Sequence, residues 1–337
     1  MTTMLTSLHR GRNAVTPALR SALARLESTS RARAAYHLGW TDVDGRPTAG
    51  GGGKAVRPAL ALLSAEAAGS PAEVGLPGAV AVELVHNFSL LHDDLMDGDV
   101  ERRHRRTVWS VWGPSSAILT GDAMLALAME VLLDSRSPNA ALAAQLLAGA
   151  TRELIRGQVQ DLAFERRQRV TLDECLDMAA AKTGALLSAS AAIGAVLAGA
   201  PEATVGALAT FGAQLGVAFQ LVDDELGIWG DPEVTGKPVF SDLRSRKKSL
   251  PVAYTMARGG AAGMELAAWL AAPGEPDDAA LRRAADLVAA GGGRDWAASE
   301  ANRRMELGVR ALGAVEIPGP AREELVALGC FIVNREA

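Results

Sequence analysis

The sequence predicts an all-α fold, and three observations predict it. Alanine dominates the apolar residues while aromatics make up only 4% of the chain; alanine is the best helix former, whereas β-branched and aromatic side chains favour strands. No stretch sustains the two-residue alternation of a half-buried strand. Apolar residues instead recur at helical spacing almost end to end, interrupted where Gly and Pro cluster at 41–53, 70–77, 231–238 and 273–276.

In chain order, helices are expected at about 14–38, 55–69, 74–98, 114–134, 138–166, 171–199, 203–229, 246–259, 262–271, 277–290, 294–312 and 319–333. The first lies in an Arg- and Ser-rich stretch, residues 1–35, in which Glu27 is the only acid. That composition also describes an organellar transit peptide; an amphipathic first helix of the fold is the expectation, and no apolar secretory leader is visible. Within 171–199, the run Met178–Ala200 is nearly free of charge and long enough for a membrane span. Lys182 inside it, and its Ala, Gly and Ser content, argue for a helix buried in a bundle and against a span. No linker composition divides the chain and no repeat of solenoid length occurs, so a single domain over 1–337 is expected.

The charge balance, 34 basic against 39 acidic side chains for a net −5, gives no basic patch for a nucleic acid to bind. Cys175 and Cys330 are far apart and outside any C-x-x-C spacing. Neither a disulfide framework nor a zinc site follows, and a reducing, cytoplasmic location is expected.

Two acidic motifs carry the chemistry. Leu91–Asp99 reads L-H-D-D-L-M-D-G-D. Asp93 and Asp97 stack on one helix face with Asp94 beside them. Like charges four apart weaken a helix, and the C-terminal end of the macrodipole disfavours anions. Two penalties in one place ask for a counter-ion, and an all-oxygen donor set with room for water and phosphate suits Mg²⁺. Gln220–Gly227 reads Q-L-V-D-D-E-L-G and places Asp223 and Asp224 at the end of a second long apolar helix. Helical bundles build metal sites from side chains on facing helices, and two such clusters are able to grip one diphosphate.

Cations accompany them. Gly50–Pro58, G-G-G-G-K-A-V-R-P, supplies Lys54 and Arg57, and its glycines allow close backbone approach to phosphate. Arg102 and Arg103 follow the first motif, and the guanidinium fork matches phosphate oxygens. Lys182 sits in an apolar helix beside Thr183 and Gly184 and must find a partner there. Lys237 and Lys247 follow the second motif.

From Gly50 to Pro251 these segments read G-K-x-x-R-P, H-x-x-S-L-x-H-D-D-x-x-D, R-R, K-T-G, F-Q-x-x-D-D and G-K-P, and the tail ends F-I-V-N-R. In this order the chain resembles the trans-polyprenyl diphosphate synthases, the family of farnesyl and geranylgeranyl diphosphate synthases. The resemblance implies an isoprenoid-synthase-type helical bundle with a central cavity, working as a homodimer. It implies Mg²⁺, three ions with substrate bound, and the substrates isopentenyl diphosphate and an allylic diphosphate. Asp93, Asp97 and Asp223 would bind metal, with Asp94 and Asp224 in support. Arg102, Lys182 and Lys237 would hold the allylic diphosphate; Lys54, Arg57, His86 and Arg103 would hold isopentenyl diphosphate. Thr183 and Gln220 would steady the allylic carbocation, and Lys247 would help to close the site. Departing diphosphate would leave that cation to be attacked by the double bond of isopentenyl diphosphate, in a cavity that excludes water.

Three features qualify the match. The family's second motif reads D-D-x-x-D, and here its last position is Gly227. The family continues R-R-G-x-P-T after the first motif, and here His104 and Arg106 stand in place of Gly and Pro. Phe88 and Ser89, five and four residues before Asp93, would form the cavity floor. An aromatic at the fifth position resembles short-chain synthases whose growth stops near C20, with C15 and C25 open. A class I terpene cyclase on the same fold is the competing enzyme. It has no use for an isopentenyl diphosphate site, and no N-D-x-x-S-x-x-x-E cluster occurs late in the chain. A non-catalytic subunit that tunes another synthase is the competing non-enzyme, supported by Gly227 alone.

Overall fold

A computed structural model describes residues 2–48, 55–232 and 238–333. Its helices are α1 (Thr2–Leu23), α2 (Ser28–His37), α3 (Val56–Ala67), α4 (Leu76–Met96), α5 (Val108–Trp112), α6 (Pro114–Leu133), α7 (Ala140–Arg166), α8 (Leu172–Ala179), α9 (Ala185–Leu197) and α10 (Glu202–Trp229). Then follow α11 (Ser241–Arg244), α12 (Leu250–Arg258), α13 (Gly260–Ala271), α14 (Asp278–Ala290), α15 (Gly293–Gly313) and α16 (Gly319–Val333). The strands among the described residues are β1 (Glu101–Arg102) and β2 (Arg105–Arg106), one short antiparallel hairpin. The all-α class stands.

The chain forms two compact units, each of three segments. One takes residues 1–151, 188–209 and 312–328, the other 152–187, 210–311 and 329–337. In the first, α4 packs against α3, α6 and α1. Added Cβ atoms on Gly75 and Gly194 would lie 2.6 and 2.1 Å from the Ala61 carbonyl oxygen. Only glycine lets both backbones meet α3 at that point, and the α4 register that carries the first acidic motif depends on it. In the second, α8 lies on α12, α12 on α13 and α13 on α14. Their core gathers Cys175, Met178, Val217, Leu221, Leu250 and Ala301.

The expected helices recur, apart from the short helices α5 and α11, which have no expected counterpart, a first helix that begins at Thr2 and not near 14, and four further differences. The helix expected over 14–38 is two. Glu27 caps α2, its carboxylate accepting from the amides of Thr29 (2.7 Å) and Ser30 (2.5 Å), and a cap with extended backbone ends the preceding helix. The helix expected over 246–259 begins only at Leu250, because Pro251 in its first turn fixes the start. The 171–199 helix changes to π geometry over Ala180–Gly184. The hairpin at 101–106 had no counterpart among the expected elements. Four helical stretches, 72–96, 114–133, 172–197 and 202–229, are long and apolar enough to cross a membrane. Within the protein 67, 44, 72 and 56% of their apolar windows are buried, so only α6 shows solvent more than half of its own.

Candidate active site

The first acidic motif closes α4. Asp93 is half-buried, Asp97 is exposed and Asp94 is buried. Asp97 is the C-cap residue, its amide donating to the Asp93 carbonyl at 2.8 Å. Asp94 points inward. Its Oδ1 accepts from Arg102 Nε at 2.5 Å, while its buried Oδ2 has no partner among the described residues. Burial lifts the Asp94 carboxyl to about 6 although Arg102 opposes the shift.

Arg102 is delivered by the hairpin. Arg102 faces Arg105 and Glu101 faces Arg106, which leaves Arg103 and His104 as a two-residue turn. Their φ angles are 53° and 59°. Left-handed backbone at both positions is the tight-hairpin geometry usually given to Asn-Gly, and for other residues such backbone costs about 1–3 kcal/mol each. Replacement of the family's Gly by His104 therefore does not prevent the turn from closing. The turn is braced from outside: Tyr36 Oη donates to the Arg106 carbonyl at 2.7 Å, and the Arg105 guanidinium stacks 4.4 Å over the Tyr36 ring.

Around the hairpin cluster cations and neutral imidazoles. Arg57 is on the first turn of α3, and His86 lies on α4 about two turns before Asp93. Burial lowers the Arg57 pKa to about 10, with Glu83 opposing. Burial also holds His86 well below its usual value, and Arg57, Arg103 and Arg102 push it further down. His37 falls to about 3 for the same reasons, burial first and then Arg102, Arg103 and Arg105. Both imidazoles are therefore neutral at pH 7 and offer N–H groups rather than charge. Glu83 accepts from Asn87 Nδ2 at 3.0 Å. The buried Arg57 Nε has no partner among the described residues. A buried donor without an acceptor costs about 1–3 kcal/mol, and an anion removes that cost. Glu83, Asn87 and His37 were not among the sequence-derived candidates. The spacing of Glu83 and Asn87 around His86 on an apolar helix was a usable signal, whereas His37 gave none.

In the second unit, α7, the π-turn and α10 converge. Lys182 Nζ donates to Asp161 Oδ2 at 2.7 Å, both side chains being 22% exposed; Asp161 is the partner the sequence demanded without naming. The backbone around Lys182 is gripped by glycines. A Cβ on Gly157 would lie 2.3 Å from the Lys182 amide nitrogen, and one on Gly216 would lie 2.4 Å from Gly184 Cα. A π-turn widens the helix by one residue and recurs at functional sites. Thr183 Oγ1 donates to Gln220 Oε1 at 2.7 Å, and Gln220 Nε2 donates to Asp224 Oδ1 at 2.9 Å. The relay fixes the amide with its oxygen toward Thr183.

Asp224 is a framework carboxylate. It also accepts from Lys247 Nζ at 3.4 Å and, through Oδ2, from the Leu250 amide at 2.8 Å. Asp223, one residue earlier, is exposed. Burial pulls the Lys247 ammonium pKa down, yet Asp224, Asp242, Asp161 and Asp223 outweigh it and hold that pKa well above its usual value. Lys54 and Lys237 lie outside the described residues.

Among the described residues no three His, Cys, Asp or Glu side chains come together as a ready metal site. The carboxylates of the two motifs that reach the surface are few and hard: Asp93 and Asp97 at the end of α4 in the first unit and, in the second unit, Asp223 near the end of α10. This fits Mg²⁺, which takes one or two carboxylates and completes its octahedron with water and substrate phosphate. It does not fit zinc, which wants four nitrogen or sulfur donors.

The family model described as polyprenyl synthetase matches residues 46–288. A (2E,6E)-farnesyl diphosphate synthase of Mycobacterium tuberculosis is 55% identical over 326 residues, covering 96% of this chain and 91% of the relative. A geranylgeranyl diphosphate synthase of the same species is 44% identical over 331 residues, covering 98% and 93%. The crystal structure of a polyprenyl synthetase from Streptomyces coelicolor A3(2) superposes with a TM-score of 0.94 at 53% identity, covering 98% of this chain and 99% of that one.

Proposed function

The chain belongs to the polyprenyl synthetase family and is a Mg²⁺-dependent short-chain prenyltransferase, and from that premise we propose that it joins isopentenyl diphosphate to an allylic diphosphate and stops at C20. One observation carries the condensing reaction over cyclisation. Apart from the carboxylates of α4, the first unit holds a cluster of half-buried Arg57, half-buried neutral His86 and exposed Arg103, in which the buried Arg57 Nε has no acceptor among the described residues. A cyclase ionises one diphosphate and needs no second one.

In this reading Arg57, His86, Arg103 and Lys54 bind isopentenyl diphosphate, and Arg102, Lys182 and Lys237 hold the allylic diphosphate. Asp93, Asp97 and Asp223 would hold Mg²⁺, three ions with substrate present, and the metal would supply positive charge against the diphosphate. Asp94 orients Arg102, and Asp224 orients Gln220 and Lys247. The Thr183 hydroxyl and the Gln220 carbonyl, locked together, turn negative dipole density toward the allylic cation. After carbon–carbon bond formation the proton goes to the diphosphate just released. Lys247 draws its segment toward the aspartates and closes the site.

Phe88 supports the C20 stop. It is 5% exposed, lies about 7.5 Å below Asp93 along α4, and meets His92 edge-on with ring centroids 4.9 Å apart. The His92 ring in turn occupies the space a Cβ on Gly121 would need, 2.4 Å from Nε2. Ser89 donates to the His86 carbonyl at 2.8 Å and is buried beside it. The M. tuberculosis relative named for farnesyl diphosphate is more alike than the one named for geranylgeranyl diphosphate, 55 against 44%, which favours C15 as the second reading. We also propose a single cytoplasmic domain acting as a homodimer through α6, on which Ile118 and Leu119 are 43 and 61% exposed.

Purified protein incubated with isopentenyl diphosphate, Mg²⁺ and each of the C5, C10 and C15 primers, read by mass spectrometry, tests this. C20 diphosphate, lost with chelator, is the expected result, and Phe88→Ala extends the product. Hydrocarbon released without consumption of isopentenyl diphosphate indicates a cyclase. A folded sample inert with all primers indicates a partner subunit.

A further inference from the structure

We propose that Tyr36 and Arg105 form a latch that positions Arg103 for isopentenyl diphosphate, so that affinity for that substrate, and not for the allylic one, is set from the end of α2. The inference rests on the reading of Arg103 as a ligand of isopentenyl diphosphate and names what holds it in place.

The hairpin carries four arginines in six residues, and their side chains are put to different uses. Arg102 Nε donates to Asp94 Oδ1 at 2.5 Å. Arg106 donates to the Ser110 carbonyl. Arg105 Nη2 donates to the Thr41 carbonyl at 2.6 Å, and its guanidinium lies 4.4 Å over the Tyr36 ring. Arg103 stands in the exposed turn. Alone of the four it makes no hydrogen bond or ion pair among the described residues, and Glu83 and Asp94 act on it through space. Arg102 is therefore fixed by its own side chain, whereas Arg103 goes where its backbone takes it.

That backbone is held from α2. Arg105 stands opposite Arg102 across the strand pair, and like charges so placed repel. The negative face of the Tyr36 ring draws the Arg105 guanidinium to the other side, where the Thr41 carbonyl receives it. Tyr36 Oη donates to the Arg106 carbonyl at 2.7 Å, so one side chain grips the second strand by its backbone and by its guanidinium. That strand closes the turn at Arg103 and His104, whose left-handed φ angles of 53° and 59° persist only where the surroundings enforce them.

The latch has a firm seat. Tyr36 is 6% exposed and meets the Trp112 ring edge-on with centroids 4.9 Å apart. The Thr41 carbonyl belongs to a strap, residues 39–48, that is closed on itself. The Thr48 amide donates to the Trp40 carbonyl at 3.0 Å, Thr48 Oγ1 donates to the Gly39 carbonyl at 2.6 Å, and Asp42 Oδ1 accepts from the Asp44 and Arg46 amides, each at 2.9 Å. Beyond the hairpin, Thr107 Oγ1 and Trp109 Nε1 both donate to the Asp99 carbonyl at 2.8 Å, which ties the chain after the hairpin to the chain before it. Arg103 is thus aimed by Tyr36 and Arg105 acting as positioning residues.

Steady-state kinetics with each substrate varied in turn, on full-length variants whose melting temperature is also followed, tests this. Tyr36→Leu and Arg105→Leu are each expected to raise the KM for isopentenyl diphosphate about tenfold, the size of a lost charge-assisted phosphate contact, with kcat and the KM for the allylic diphosphate within about twofold of wild type. Tyr36→Phe keeps the ring under Arg105 and loses only the donor to Arg106, and is expected to fall between wild type and Tyr36→Leu. In an Arg103→Gln background the same substitutions are expected to add little, because they act through Arg103. A merely structural role lowers the melting temperature and produces neither the KM split nor this non-additivity. If Tyr36→Leu does not fold, Arg105→Leu and Tyr36→Phe carry the same comparison. An unchanged KM for isopentenyl diphosphate in the folded variants, equal rises for both substrates, or an undiminished effect in the Arg103→Gln background overturns the inference while leaving the proposed function standing. A wild-type protein that consumes no isopentenyl diphosphate overturns both.

Discussion

His37 and His86 are kept neutral by burial and by the arginines around them, and this fixes the acid side of the stability curve. Their folded pKa values lie below the unfolded value near 6.5, so the stability linked to them is complete above pH 6.5 and is lost as pH falls below it, for His37 down to about 3. For His37 the loss approaches about 1.4 kcal/mol per pH unit. Melting temperature between pH 7.5 and 5 is expected to fall in the wild type and to fall less steeply in His37→Asn. Arg57 makes a second residue-scale prediction. Arg57→Lys keeps the charge but loses the planar fork. The KM for isopentenyl diphosphate is expected to rise about tenfold, about 1.4 kcal/mol of lost phosphate contact, while the KM for the allylic substrate stays in place. At this scale the sequence revealed charge-bearing residues well and their partners poorly. Arg57, Arg102, Lys182 and the aspartates announce themselves by type and spacing. Glu83, Asp161 and Asp242 matter through neighbours distant in the chain, and no local pattern records such neighbours.

Glycine contacts govern the element scale. Gly157→Ala gains about 1 kcal/mol of helix propensity, but its Cβ would lie 2.3 Å from the Lys182 amide nitrogen, and backbone yields far less than a side-chain tip. Overpacking typically costs about 1–3 kcal/mol, so the net sign is destabilising. The variant is expected to melt several degrees lower, measured by calorimetry, and to lose kcat because Lys182 and Thr183 shift together. Long apolar helices such as α7 and α10 were legible to within two residues because their periodicity is extended. The π-turn at 180–184 was not, since one extra residue per turn leaves no compositional trace. Nor was the hairpin at 101–106, where four arginines in six residues read as a solvated loop; its shape comes from two strained backbones and from Tyr36, seventy residues away from the carbonyl it binds.

For the whole molecule, α6 is the telling element. Its apolar window is the least buried of the four, 44%, and Ile118 and Leu119 are open to solvent. Apolar surface of this kind is what an obligate subunit contact covers. For the homodimer proposed above, Leu119→Glu is expected to leave monomer in sedimentation velocity, with the monomer melting lower because association contributes to folding stability.

The arginine hairpin carries one more implication, and it concerns the choice of buffer. Arg102 and Arg105 stand directly opposite each other across the strand pair, with Arg103 in the turn between. Like charges so placed repel. Asp94 offsets part of that charge through Arg102, and a multivalent oxyanion relieves the rest. Phosphate or sulfate is therefore expected to raise the melting temperature above that in chloride at equal ionic strength. Apparent substrate affinities measured in phosphate will then be weaker than those in chloride, because the solvent already occupies the seat.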